Sequence, residues 1–277
     1  MKFFKKKERK IIFNEPFLLI SLPIACFILI IVFILRPFLL VRFGLIHSDR
    51  IGHFATNTEL ALCEKKFFKI KSLDLFYFPT EPCNKYFAKI VKQKVLVLPK
   101  LILRPFCLIV RKIKYLKIHV AGQPKSGDYD VNNLIDKYRN QLNITQREIR
   151  QGNTFMNKIN PKNKPVVTLI IRDSKYLKNL VGNNSYNYHS HRNDNINKYK
   201  RVVSFLIQKG YFVIRMGNVA KDRLKIKNNN FLDYPFFNEK SDFLDIFIGF
   251  KCEICITNGT GYDAIPTIFR RKMINID

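Results

Sequence analysis

The chain has 277 residues, 47% of them hydrophobic, which is enough to bury a sizeable core in about two domains and excludes a chain disordered by composition. Lys and Arg number 49 against 21 acidic residues, for a formal charge of +28, so the surface attracts phosphates, anionic lipid or nucleic acid; a plain Lys, Asn and Ile bias fits the same excess, because the basic residues are spread along the chain. Six cysteines without framework spacing exclude a disulfide scaffold and fit a reducing compartment.

Residues 1–16 form a basic segment carrying Lys2, Lys5, Lys6, Lys7, Arg9 and Lys10. Residues 17–40 follow as a transmembrane or membrane-anchor helix, since Phe17 to Leu35 is uncharged, apolar and long enough to span. The apolar region is too long for a signal peptide and no small-residue cleavage site follows, so the helix is expected to be uncleaved; a buried core helix is the alternative. The positive-inside rule sends the remainder outside for a single span, yet Arg36, Arg42 and the basic downstream region favour the cytoplasmic side. Pro23 and Pro37 leave a re-entrant or tilted interfacial helix open. The expected location is the cell inner membrane, with the rest of the chain on the cytoplasmic side.

Val41 to Ile46 reads as a first strand, followed by a polar turn from His47 to His53 and a helix from about Ala55 to Lys65. Leu73 to Phe78 is a second strand, stopped by Pro79 and Pro82, and Val95 to Leu98 a third. The apolar run from Val95 to Val110, punctuated by Lys and Arg, reads either as a segment lying on anionic lipid or as a buried strand with a helix flank. The polar stretch from Ile144 to Lys164 has little β pattern, and the domain boundary is placed there.

Pro165 to Ile171 begins a second α/β domain with a nearly continuous apolar strand, as a buried parallel strand requires. Ile196, Tyr199, Val203 and Leu206 recur at helical spacing, Gly210 ends that helix, and Tyr211 to Ile214 returns as a strand. Phe243 to Phe247 marks a helix that Ser241 is placed to cap, and Glu253 to Thr257 is the next strand. Alternating strands and helices predict α/β architecture with two Rossmann-like domains.

Open parallel sheets bind ligands beyond the carboxyl ends of their strands, so the polar residues just after each apolar run are the candidates. After the first strand these include His53, whose neutral imidazole can take a proton from a hydroxyl, or which simply closes a helix turn. Arg172 and Asp173 follow the strand ending at Ile171, with Asp173 a second catalytic candidate. Arg215 and Gly217 follow Ile214. The long loop after Ile171 ends in His189-Ser190-His191-Arg192-Asn193-Asp194, where Arg192 can clamp a diphosphate and Asp194 can cap the next helix or hold Arg192. Asn258, Gly259, Thr260, Gly261 and Asp263 follow Thr257, in a small-residue turn able to bring bare N–H groups to a phosphate, although a plain tight turn reads the same way. Cys252 and Cys255 form a CxxC inside a strand, which points them to opposite faces and argues against zinc or redox use. No metal ligands are assigned.

In this order, the clusters resemble those of a family assigned as bacterial glycosyltransferases of surface-polysaccharide gene clusters. The match runs through Arg50 to His53 with Asn57 to Leu60, Leu73 to Phe78, Arg172 to Leu177, Tyr188 to Asp194, Tyr211 to Gly217, Ser241 to Ile246 and Thr257 to Phe269. The resemblance implies a GT-B-like fold and transfer of a sugar from a nucleotide-sugar donor to a lipid-linked or polysaccharide acceptor. On that footing residues 41–150 are the acceptor domain and residues 151–277 the donor-binding domain, the latter expected to stop short of the family's full length and leave either an impaired enzyme or a fragment. His53 and Asp173 are then the catalytic candidates. Arg172, Arg192, Asp194, Arg215, Gly217, Asn258, Gly259, Thr260, Gly261 and Asp263 are the donor-binding candidates. The nucleotide-sugar is a substrate, no cofactor is expected, membrane lipid is a partner and nucleic acid is not. A basic membrane or nucleic-acid adaptor without sugar chemistry is the remaining alternative. His189, Arg192 and Asp194 also resemble part of the His-x-x-Arg-x-Asp pattern of nucleotide-binding fucosyltransferases, but His191 stands where those enzymes carry an Arg, so fucose specificity is not carried over.

Overall fold

The computed structural model describes residues 16–122, 129–175 and 192–276. Its contacts divide the chain into two compact units, one of residues up to Cys83 with Ala88–Gln141 and one of Asn84–Phe87 with Leu142–Asp277. The boundary expected at residue 150 therefore falls inside a helix of the second unit. His189 and His191 lie outside the described residues.

The first unit begins with α1 (Pro16–Ile34) and continues through β1 (Val41–Leu45), α2 (Ile51–Phe67) and β2 (Leu73–Tyr77). After α3 (Lys85–Lys92), whose first turn belongs to the second unit, come β3 (Leu96–Val97), α4 (Lys100–Lys112), a 3-10 segment (Lys114–His119), β4 (Val120–Ala121) and α5 (Leu134–Lys137). The strands form one parallel sheet in the order β3-β2-β1-β4. Gly44 lets β1 approach β4, since a Cβ there would lie 2.5 Å from the Ala121 carbonyl. Phe43 stacks on Phe106 of α4 at 5.0 Å, so the run from Val95 to Val110 is a short strand and a helix packed on the sheet.

Helix α2 starts a turn earlier than its pattern suggests. Arg50 occupies its N-cap without a side-chain cap bond, so the usual start signal is missing.

Arg42 on β1 donates two hydrogen bonds of 2.7 Å to Asp74 on β2, and Lys65 and Ser72 also reach that carboxylate. Burial pushes the Asp74 pKa up, but the hydrogen bonds from Arg42, Ser72 and Lys65, with the Arg42 charge, outweigh it and leave the value lowered. A depressed carboxyl contributes stability above its unfolded pKa of 3.8 and loses it as pH falls through the folded value. Asp74→Asn is thus expected to cost about 1–3 kcal/mol at pH 7, with the deficit shrinking below pH 4, measured by melting temperature against pH.

The second unit starts with α6 (Gln146–Ile159) and β5 (Val166–Ile170), followed by a 3-10 turn (Ile196–Tyr199), α7 (Lys200–Gln208), β6 (Phe212–Arg215) and β7 (Phe231–Asp233). A second 3-10 turn (Tyr234–Phe236), α8 (Asp242–Lys251), β8 (Ile254–Thr257), α9 (Ala264–Ile268) and β9 (Lys272–Asn275) complete it. All five strands are parallel, in the order β7-β6-β5-β8-β9. All five residues of β5 are buried, as expected for a central strand covered on both faces.

The stretch read as a polar boundary holds α6. Thr145 and Glu148 close a reciprocal capping box at its start, a signal present in the sequence as Thr-x-x-Glu. Gly152 allows α6 to press on α8, since a Cβ there would fall 2.3 Å from the Phe247 ring. Ser241 does cap α8, its hydroxyl accepting the Leu244 N–H at 3.2 Å. Behind α8 the Tyr234 hydroxyl donates to Asp245 at 2.7 Å, and burial pushes that carboxyl up to about 6.

Candidate functional site

From β5 the chain winds outward through β6 to β7, then crosses back to lay β8 and β9 on the other side of β5. The order of the strands reverses between β5 and β8, and it is beyond the carboxyl ends of the strands at such a switch point that open parallel sheets bind ligands. Arg172 and Asn258 stand there, two residues beyond β5 and one beyond β8.

Asn258 ties three segments together. Its Oδ1 accepts the Arg172 N–H at 2.8 Å, and its amide nitrogen donates to the Arg192 carbonyl at 2.8 Å. The Asp194 N–H then donates to the Arg172 carbonyl at 3.0 Å, and Arg192 Nη1 donates to the Gly259 carbonyl at 3.3 Å. The main chains of Arg172 and Arg192 are thereby tied to the β8 turn, and both residues are half-buried. Gly259 has φ +78°, a left-handed conformation that glycine tolerates and a β-branched residue does not.

The turn is braced from below by Thr257, the last residue of β8. Its hydroxyl accepts the Gly259 N–H at 3.1 Å and donates to Asp263 Oδ2 at 3.2 Å. The Thr260 and Ala264 N–H groups also turn toward the Asp263 carboxylate. The Gly259 N–H, which the sequence suggests is offered to a phosphate, is thus spent inside the turn. The Thr260 hydroxyl, in contrast, is a buried atom with no hydrogen-bond partner among the described residues. Thr257 escaped the sequence reading, although a Thr closing a strand two residues before a glycine is a visible signal for such a brace.

Burial pushes Asp263 up to about 6, against the opposing pull of Thr257, the two N–H groups and the Arg192 charge. The folded chain therefore keeps a proton that the unfolded chain, at 3.8, has already lost, and stability falls as pH rises between about 4 and 6. Asp263→Asn is expected to remove about one proton's share of that decline, measured as the slope of melting temperature from pH 4 to pH 7. Asp245 remains in that variant as an internal reference, and an unchanged slope would assign the decline to it.

Several of the other candidates have side chains engaged in structural contacts. Arg215 ends β6 with its side chain buried, donating to the Asp222 carbonyl at 2.6 Å and to Asp233 at 3.2 Å. Its guanidinium is committed to structure, and Gly217 beyond it, at φ +142°, packs near Pro235. Asp173 accepts the N–H groups of Lys175 and Lys221, both at 2.9 Å, which joins the loops after β5 and β6 and occupies both carboxylate oxygens. Asp194 caps the turn that follows it, binding Asn195 N–H, Tyr199 hydroxyl and Lys198, and the Lys198 contact leads in holding its pKa down. Gly261 is exposed at the edge of the β8 turn.

His53 belongs to the first unit, in the first turn of α2, with its ring 6.4 Å from that of His47. Nearby, Ser48 is fully buried and donates to the Thr80 carbonyl at 2.9 Å, which fixes the loop after β1 to the loop after β2. Cys252 and Cys255 are buried free thiols, pushed up to about 11 and about 12 by burial. Among the described residues no group of three or more His, Cys, Asp or Glu stands together as a metal set.

No protein-family model and no curated protein matches the chain. Two solved structures are similar to it. One is E. coli ADP-heptose lps heptosyltransferase II, with TM-score 0.53 and 11% sequence identity over 84% of this chain and 83% of that one. The other is a glycosyl transferase family 9 structure from Veillonella parvula DSM 2008, with TM-score 0.48 and 11% identity over 84% of this chain and 79% of that one. At this identity the likeness to the heptosyltransferase is one of fold, a mixed α/β chain with parallel sheets.

Proposed function

We propose that the protein is a membrane-associated, GT-B-like glycosyltransferase that moves a sugar from a nucleotide-sugar to a surface-polysaccharide or lipid-linked glycan acceptor. The observation that supports this reading is the joining of the Arg172 main chain and of Arg192 to the Asn258-Gly259 turn at the switch point between β5 and β8, in a chain with the fold of a solved heptosyltransferase.

When the glycosidic bond of a nucleotide-sugar breaks, negative charge grows on the departing diphosphate. Arg172 and Arg192 would offset that charge, and the Thr260 hydroxyl would supply a hydrogen bond already desolvated and in place. Two guanidinium groups do the electrostatic work that a divalent cation does in other transferases, so no metal is required in this reading. A neutral Asp263 below pH 6 would leave the cationic pair unopposed, and an ionised one would weaken it. His53 is the proposed base for the acceptor hydroxyl. The location that goes with this reading is the inner membrane, with both units on the cytoplasmic side.

The test is to supply the purified chain with a panel of sugar nucleotides and follow melting temperature and donor hydrolysis. A ligand that raises the melting temperature in the wild type and fails to do so in Thr260→Val and Arg192→Ala would support the site. A flat response across the panel would overturn the enzyme reading.

A further inference from the structure

Helix α1 is apolar around its whole circumference, yet one stripe of it is covered by protein. Leu18, Ala25 and Leu29 are 1–3% exposed, and Ala25 and Leu29, with Leu22 and Val32 beside them, join the cluster of Leu103, Phe106, Cys107 and Val110 on α4. The spacing of 18, 22, 25, 29 and 32 is the stripe of a helix laid lengthwise on another surface. At the far end of α1, Phe33 lies 6.5 Å from His119, at the end of the 3-10 segment, so contact with the first unit continues along the helix. The remaining faces have no protein cover: Ile20, Phe27 and Ile34 are 66–68% exposed, and Ile24 and Ile30 are exposed as well.

A helix of 19 residues is about 28 Å long, enough to cross a hydrocarbon core if it stands upright. In this protein it cannot do so alone. Crossing would carry α4, with Lys100, Arg104, Arg111 and Lys112, and the irregular backbone beyond it into hydrocarbon, where charges and unpaired backbone groups are costly. Lying flat removes the conflict. The apolar faces of α1 enter the acyl boundary, together with Leu101, Ile102, Tyr115 and Ile118, which are also exposed. Lys100, Lys114 and Lys117 stay at headgroup level, exposed, in a stretch without acidic residues between Glu81 and Asp128. A surface that is apolar and bordered by exposed lysines matches a bilayer rich in anionic headgroups.

We infer that α1 is a monotopic anchor: it lies in the membrane interface, held along α4, and docks the first unit onto an anionic bilayer without crossing it. This deepens the membrane association proposed above and is independent of sugar transfer.

Two measurements on the full chain test it. In sealed membranes of producing cells, a membrane-impermeant maleimide is applied to a Cys26→Ser variant carrying either the native exposed Cys83 or, with Cys83→Ser, a new cysteine from Lys6→Cys. Both positions are expected to label from the same side; labelling from opposite sides would show that α1 spans and overturn the inference while keeping membrane association. With purified protein, binding to phosphatidylcholine vesicles containing phosphatidylglycerol is expected to exceed binding to phosphatidylcholine alone by at least about tenfold at low salt. Phe27→Lys is expected to abolish most of that binding without lowering the melting temperature in solution. A lowered melting temperature would mean that protein covers this face, and an absence of binding to either vesicle would overturn the anchor and the membrane association together. Neither result would touch the reading of the donor site.

Discussion

Asp233→Ala is expected to destabilise the second unit by about 3–5 kcal/mol, the cost of leaving a buried guanidinium without its partner. Arg215 and Asp233 sit on adjacent strands, paired in register, and their side chains are 3% and 12% exposed. Burial acts first on both, pulling the Arg215 pKa down and pushing that of Asp233 up, while each charge works against the shift of the other. The Leu224 N–H also donates to Asp233 at 2.8 Å, so truncation strands a backbone donor as well. Urea or thermal unfolding reads the loss directly. The paired replacement of Arg215 and Asp233 by Met and Leu is expected to recover most of it, because two apolar side chains carry no desolvation cost.

That pair of variants also decides what Arg215 does. If it only braces β6 against β7, the Met–Leu protein binds nucleotide-sugar as the wild type does. Loss of ligand affinity in a protein of restored stability would return Arg215 to the phosphate site.

Arg192→Ala is the second large effect, and it falls on affinity. A charge-assisted hydrogen bond is worth about 1.5–3 kcal/mol, which corresponds to roughly a ten- to hundredfold loss of nucleotide-sugar affinity. The Arg192 side chain donates to the Gly259 carbonyl at 3.3 Å, while its main-chain carbonyl carries the link to Asn258. Truncating the side chain therefore spares the bond that holds the segment in place. Titration calorimetry with the sugar nucleotide found in the panel would read the change, with Arg192→Lys as the control. Lysine keeps the charge but not the planar fork, so partial recovery is expected. Equal affinity in wild type and Arg192→Ala would remove this residue from the site.

Much of the architecture is legible in the chain because it follows from local pattern. The continuous apolar run over β5, the glycine closing α7, and Ser241 ahead of α8 each state an element through its own periodicity or cap. Elements that lack such a signal are missed or misplaced. The first turn of α2 has no side-chain cap, β7 is three residues long, and α6 has a polar surface that hides its stripe. For the site, the sequence narrows the search to strand ends, and Arg172, Arg192 and Asn258 are indeed brought together. It cannot say how the hydrogen bonds are shared out. Asp173, Asp194 and Arg215 carry the same chemistry in the sequence as a working site would need, and the side chain of each is engaged in a structural contact.

By itself, then, the sequence determined what depends on neighbours a few residues apart: two alternating α/β segments, an apolar helix ahead of them, and polar clusters following the strands. Only the tertiary structure decided which side chain meets which. Asn258 joins Arg172 and Arg192 across separations of 86 and 66 residues, Arg215 is claimed by Asp233, and α1 is claimed along one stripe by α4. The physical reason is that burial and pairing are properties of a site in space. The free energy of a guanidinium or an apolar stripe depends on the groups packed against it, and those groups come from distant parts of the chain.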